Sequence, residues 1–163
     1  MNSFLKENYN VVVDIERKIV LRSATLNDNE NLRKWKNSQK MYFFYQDEID
    51  QEMQNQWFAK YCSRELDIMV IIEINKIPIG CMAIRFIDDK WDIYNVILGE
   101  ESYGGKGFMG MAFKELLKLG LSIRNKEISL NVLKHNPAVN WYLKQGFTIC
   151  EEHEGYYYMI FND

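Results

Sequence analysis

Apolar positions along this chain recur with two different periods, and the points where the period changes mark its elements. The run Val11–Val13 predicts an N-terminal arm or extra strand, and Ile19–Leu21 in "KIVLRSAT" a β-strand. "TLND" then offers Thr25 as a helix N-cap with Asp28 three residues on, predicting a helix to about Asn37 with Leu26, Leu32 and Trp35 on its buried face. "MYFFYQDEI" is aromatic and aperiodic and reads as a loop. A second helix follows from about Asp50 to Tyr61, where Met53, Trp57 and Tyr61 recur every four residues.

The period then drops to that of strands. "DIMVIIEI", the turn "NK" and "IPIGCMAIRFI" predict an antiparallel hairpin, and "WDIYNVIL" a third strand ending at Gly99. From Met109 the helical period returns: Ala112, Phe113, Leu116, Leu117 and Gly120 share one face of a helix reaching about Arg124. "EISLNV" is a further strand. "HNPAVNWYLKQGF" is a short helix with Asn136 as N-cap, Pro137 in its first turn and Gly146 as its stop, and "FTICEE" with "YYYMIF" closes the chain as a hairpin. The order predicts a single-domain α/β (α+β) protein: residues 1–18 as the arm, and 19–163 as a mixed, mostly antiparallel sheet flanked by about four helices.

Composition narrows the partners. The 163 residues suffice for one domain with its own core, and a net charge of −3 with scattered Lys and Arg gives no footprint for nucleic acid. No window approaches the roughly 18 apolar residues of a membrane span, and the N-terminus has no signal-peptide core, so a cytoplasmic protein is expected. Three cysteines without CxxC spacing read as reduced core thiols. Two histidines without metal-motif spacing argue for no metal site.

The densest chemical signal is "GEESYGGKGFMG", five glycines within Gly99–Gly110, between a strand and a helix. Unpaired backbone N–H groups at a helix N-terminus, with glycines admitting close approach, suit a phosphate or pyrophosphate. Lys106 is followed by Gly107, so no Walker A motif is present, and Gly105-x-Gly107-x-x-Gly110 follows an antiparallel meander instead of opening a βαβ unit, as a dinucleotide fingerprint would. A ligand-free glycine turn accounts for the loop alone equally well.

Gly104-Gly105-Lys106-Gly107-Phe108-Met109 resembles the Q/R-x-x-G-x-G/A acetyl-CoA loop of the GCN5-related N-acetyltransferases, with Gly104 in place of Gln or Arg and Met109 in place of a small residue. "LNVLKHNPAVNWYLKQGF" resembles the downstream segment of the same family, in the expected order. The resemblance spans about Ile19–Phe161. It implies an N-acetyltransferase domain over 19–163 whose sheet splays between strands 91–98 and 127–132. There the pantetheine arm of acetyl-CoA would pair with the backbone of Val96, Ile97 and Leu98. The pyrophosphate would rest on amides from about Tyr103 through Gly104, Gly105, Lys106, Gly107 and Phe108 to Met109.

By the same resemblance Tyr142 matches the general acid and Asn136 a cofactor-contacting residue, and a backbone N–H near Ile97 or Leu98 polarises the carbonyl. Asp92 is the candidate base, with Glu73 or a water relay as alternatives, and a loop histidine such as His135 reads as structural. The segment "WKNS" and Ile49–Phe58 resembles two branches of the family, acting on protein N-termini and on nucleotide-linked amino sugars. The aromatic loop Tyr42–Tyr45 and Trp57 favour the sugar, by stacking on a base or ring. A small-molecule amine, a non-catalytic acyl-CoA-binding module and a nicotinamide enzyme stay open, as does a homodimer.

Overall fold

In the computed structural model, which describes residues 6–162, eight strands form one sheet: β1 (Asn10–Asp14), β2 (Ile19–Ser23), β3 (Asp67–Ile74), β4 (Ile77–Ile87), β5 (Lys90–Leu98), β6 (Ile128–Leu133), β7 (Phe147–Glu152) and β8 (Tyr156–Phe161). Their spatial order is β1-β2-β3-β4-β5-β6-β8-β7, and every pairing is antiparallel except β5 with β6. Helices α1 (Asn29–Ser38) and α2 (Gln51–Ser63) precede β3; α3 (Phe108–Ile123) joins β5 to β6, and α4 (Ala138–Lys144) joins β6 to β7. The Val11–Val13 run lies in β1, at one edge of the sheet.

β3 explains why its sequence is almost uninterruptedly apolar. Ile68, Val70 and Ile72 face a core with α3 and α4, while Met69 and Ile71 face a second core with α1 and α2, so both faces are buried. Leu32 and Trp35 of α1 are buried as their spacing predicts. Leu26 is instead 65% exposed, because the chain makes a 3-10 turn over Leu26–Asp28. That turn points Asp28 inward, where its carboxylate accepts from the Thr25 N–H at 2.8 Å and from Arg22 at 2.8 Å. On α2 Tyr61 is buried as expected, but the other buried positions are Gln54 and Phe58, one step from Met53 and Trp57, which are half-buried and face a pocket. Of the three thiols only Cys81 is in the core, where burial pushes it up to about 12; Cys62 and Cys150 are exposed, which corrects the expectation for those two.

β5 positions the site in two ways. It pairs with β6 only at Trp91↔Ile128 and Asp92↔Ser129, after which the strands diverge and leave a wedge between them. Beyond that point, Asn95 and Val96 together oppose Met82 of β4, a bulge in which Asn95 takes φ +48°. Trp91 and Ile93 pack toward α3, Tyr94 packs toward α1 and α2, and after the bulge Val96 and Leu98 return to the α3 side while Ile97 turns to the other. One extra residue thus shifts the alternation of the strand by one.

Candidate active site

The glycine loop prepares the N-terminus of α3. Gly105 and Gly107 adopt φ +73° and +79°, values that side chains other than glycine rarely tolerate, and the space where a Cβ would sit is open at both. None of the six backbone N–H groups from Gly105 to Gly110 has an acceptor among the described residues; the first amide bonded into the helix is that of Met111, to the Gly107 carbonyl at 3.1 Å. Tyr103 and Gly104 differ from the expectation of a longer run, since their amides are consumed in a 3-10 turn by Glu100 O at 3.0 Å and Glu101 O at 2.9 Å.

This loop floors a cleft of ≈ 520 Å³. Val96, Leu98, Tyr103, Gly104, Gly105, Gly107, Phe108, Met109 and Asn136 all line it. Lys106 does not, its ammonium lying 5.8 Å from the Tyr103 ring centroid, and the Ile97 side chain is buried on the opposite face of the sheet. An amide-lined end and an apolar trench beside Val96, Leu98 and Trp141 match a ligand with an anionic end and a long, weakly polar arm.

A second, more polar pocket of ≈ 300 Å³ opens in the wedge and holds Asp92, Tyr94, Asn95, Asn131 and Tyr142. Val96 and Asn136 border both spaces, as do Tyr42 and Phe43 from the loop between α1 and α2. That loop is tied across the wedge: Gln39 Nε2 donates to Leu98 O at 2.7 Å, His135 Nε2 meets Met41 O at 2.7 Å, and Asn136 Nδ2 donates to Tyr42 O at 3.4 Å. Asn136 Oδ1 also accepts from the Ala138 N–H at 2.9 Å, so this one amide starts α4 and holds the loop.

Tyr142 is buried against Phe113, Trp141 and Phe147, which fix its ring. Its hydroxyl makes no hydrogen bond among the described residues, and burial pushes the phenol well above its ordinary value. Asp92 Oδ2 accepts from Arg85 Nε at 2.9 Å. Burial raises the Asp92 carboxyl above the usual range and outweighs the opposing pull of Arg85. The alternative base Glu73 lines neither space and pairs with Arg22 at 3.1 Å.

A family model described as "Acetyltransferase (GNAT) family" matches residues 29–147, from α1 to the start of β7, and so includes the cleft, the wedge and the loop. The chain belongs to the GNAT family. It is an acetyl-CoA-dependent N-acetyltransferase, and the open amides and trench fit that cosubstrate. Solved structures with the same GNAT fold include a domain from Methanocaldococcus jannaschii (24% identity, 90% of this chain and 99% of that one, TM-score 0.78). Others are FdhC, a nucleotide-linked sugar GNAT (23%, 88% and 85%, 0.73), and spermidine N-acetyltransferase from Vibrio cholerae with CoA and spermine (20%, 87% and 94%, 0.74). No curated protein matches the chain. Among the described residues, no helix is long and apolar enough to cross a membrane.

Several residues of the GNAT site carry no motif. Lys36 donates to Asn95 Oδ1 and lies 3.6 Å from the Phe43 ring centroid; desolvation lowers its ammonium to about 8. Its signal was periodic: Lys36 follows Leu32 and Trp35 at i+4 and i+1, on the edge of a buried face. Arg85, Asn95 and Asn131 had none, because the bulge and the splay place them.

Proposed function

We propose that this protein transfers an acetyl group from acetyl-CoA directly to the primary amine of a nucleotide-linked amino sugar. The observation that carries the reading is the meeting of the amide-lined cleft and the polar pocket at the splay, with Val96 and Asn136 as their common wall. Donor and acceptor held in these two spaces meet at that common wall, which lowers the entropic cost of their encounter.

In direct transfer the amine nitrogen attacks the thioester carbonyl, a C–N bond forms and the C–S bond breaks. Asp92 takes the proton from the acceptor ammonium; its raised carboxyl makes it a better base near neutral pH than an exposed carboxylate. Tyr142 keeps its phenolic proton at neutral pH and gives it to the departing sulfur, and the resulting phenolate is reprotonated by the second proton that the acylated nitrogen sheds. A backbone N–H near Ile97 or Leu98 supports the developing oxyanion.

The sugar acceptor is favoured by the side-chain amides of Asn95, Asn131 and Asn136, which suit hydroxyl groups, and by Tyr42, Phe44 and Tyr45, which offer faces to a base. The α-amine of a protein N-terminus is the second reading, favoured by the exposed lip of Met41, Phe44 and Tyr45. Thiol release from acetyl-CoA with nucleotide-linked amino sugars, peptides and small amines tests the proposal. Turnover led by the sugars is expected; turnover led by peptides transfers the site to the second reading, and tight CoA binding without turnover on any amine makes the protein a binding module.

A further inference from the structure

Behind the polar pocket lies a second chamber of ≈ 280 Å³, walled by Leu32, Ile49, Met53, Trp57, Met69 and Ile97. Lys36, Tyr45 and Asn95 border both this chamber and the polar pocket and so form the throat between them. Among the described residues no acidic side chain lines the chamber, and the one carboxylate lining the polar pocket, Asp92, already faces Arg85 at 2.9 Å. Trp57 is held flat against Tyr61, with ring centroids 5.5 Å apart and planes within 11°, which gives the chamber one firm wall.

We propose that the acceptor carries an apolar arm that enters this chamber, and that the Lys36 throat rejects acceptors bearing a second positive charge. An alkyl arm loses water there against carbon walls. A second ammonium would pass the Lys36 amine and come to rest with no carboxylate to receive it, at a desolvation cost that the neutral amides of Gln54 and Asn95 offset only in part. The proposal rests on the acceptor amine occupying the polar pocket. On the sugar reading the arm is a deoxygenated or alkylated part of the sugar; polyamines are excluded.

The test uses the full chain and linear primary amines from propylamine to octylamine, each beside the diamine of equal length, with acetyl transfer as one readout and calorimetric binding to the CoA-saturated protein as another. The expected result is a gain in kcat/KM and in affinity of about three- to fourfold per methylene until the chamber is filled, with each diamine well below its monoamine. Met53→Trp should abolish the gain and Met53→Ala should extend it to longer chains, both with unchanged CoA affinity; Ile49→Phe serves as a second filling variant should Met53→Trp not fold. A flat dependence on length, diamines equal to monoamines, or a gain that survives filling overturns the proposal. If no amine is acetylated while binding still rises with length and falls on filling, the acetyl-transfer reading fails and the chamber stands.

Discussion

The indole of Trp35 occupies the space that a side chain on Gly99 would need: a Cβ built there falls 2.2 Å from Trp35 Cε2. The first glycine of the loop therefore serves the α1 core, and its requirement differs from that of the glycines after it. Gly99→Ala should overpack this contact and cost about 1–3 kcal/mol. A thermal melt should fall by roughly 2–12 °C. An unchanged melting temperature would mean that α1 moves aside without penalty.

Gly107 poses the opposite case, with nothing near its absent Cβ and φ at +79°. Gly107→Ala should strain the backbone by about 1–2 kcal/mol in the conformation that presents the amides. Calorimetry should read this as a roughly 5- to 30-fold weaker CoA affinity. Gly110, outside the left-handed region and facing only the flexible Gln145 side chain at 3.2 Å, should tolerate Ala with far less loss, and equal losses at the two positions would remove the conformational explanation.

Tyr142→Phe keeps the ring among Phe113, Trp141 and Phe147 and deletes only the hydroxyl. Turnover should fall on the order of 10²-fold with CoA affinity unchanged. Full turnover in the variant would take the proton-donor role from this residue.

Asp92 acts as a base only when ionised, so activity should be present above its pKa and lost as pH falls through it. Because burial raises that pKa, the acid limb of kcat/KM should lie above the usual carboxylate range. Asp92→Asn, which can still accept from Arg85, should lower kcat/KM by on the order of 10²-fold and abolish the limb. The same limb in the variant would assign it to another group.

Lys36 has a folded pKa lowered to about 8 from 10.5, chiefly by desolvation, so between these values the unfolded chain binds more protons than the folded one. Stability from this group therefore rises with pH across that window, and below it the penalty is full and constant. Lys36→Met should be more stable than the parent by on the order of 1–3 kcal/mol below pH 8, an advantage that shrinks as pH approaches 10.5. Denaturant melts at several pH values check this, and a pH-independent difference would refute the assignment.

Much of the frame was legible because periodicity reports burial directly. The α3 face through Ala112, Phe113, Leu116 and Leu117 and the β3–β4 hairpin follow from apolar spacing alone, whereas the burial of both faces of β3 does not. Leu26 departs from its spacing because the Arg22 guanidinium donates to Asp28 and turns that side chain inward, which outweighs hydrophobic spacing in a short turn. On the cofactor side the glycines announced the loop, since backbone conformation writes itself into residue choice. On the acceptor side Arg85, Asn95 and Asn131 come from three strands and meet only through a bulge and a divergence, features of pairing that leave no mark within any one segment.

The bulge at Asn95 works as a frameshift in space. Upstream of it, the even positions Asp92 and Tyr94 line the polar pocket alone; downstream, Leu98 lines the cleft alone, and Val96 lines both. One parity of a single strand thus serves two spaces that meet at Val96. On the proposed reading, substitutions at Asp92 or Tyr94 change which amine is accepted, while Leu98 keeps its place beside the acetyl donor.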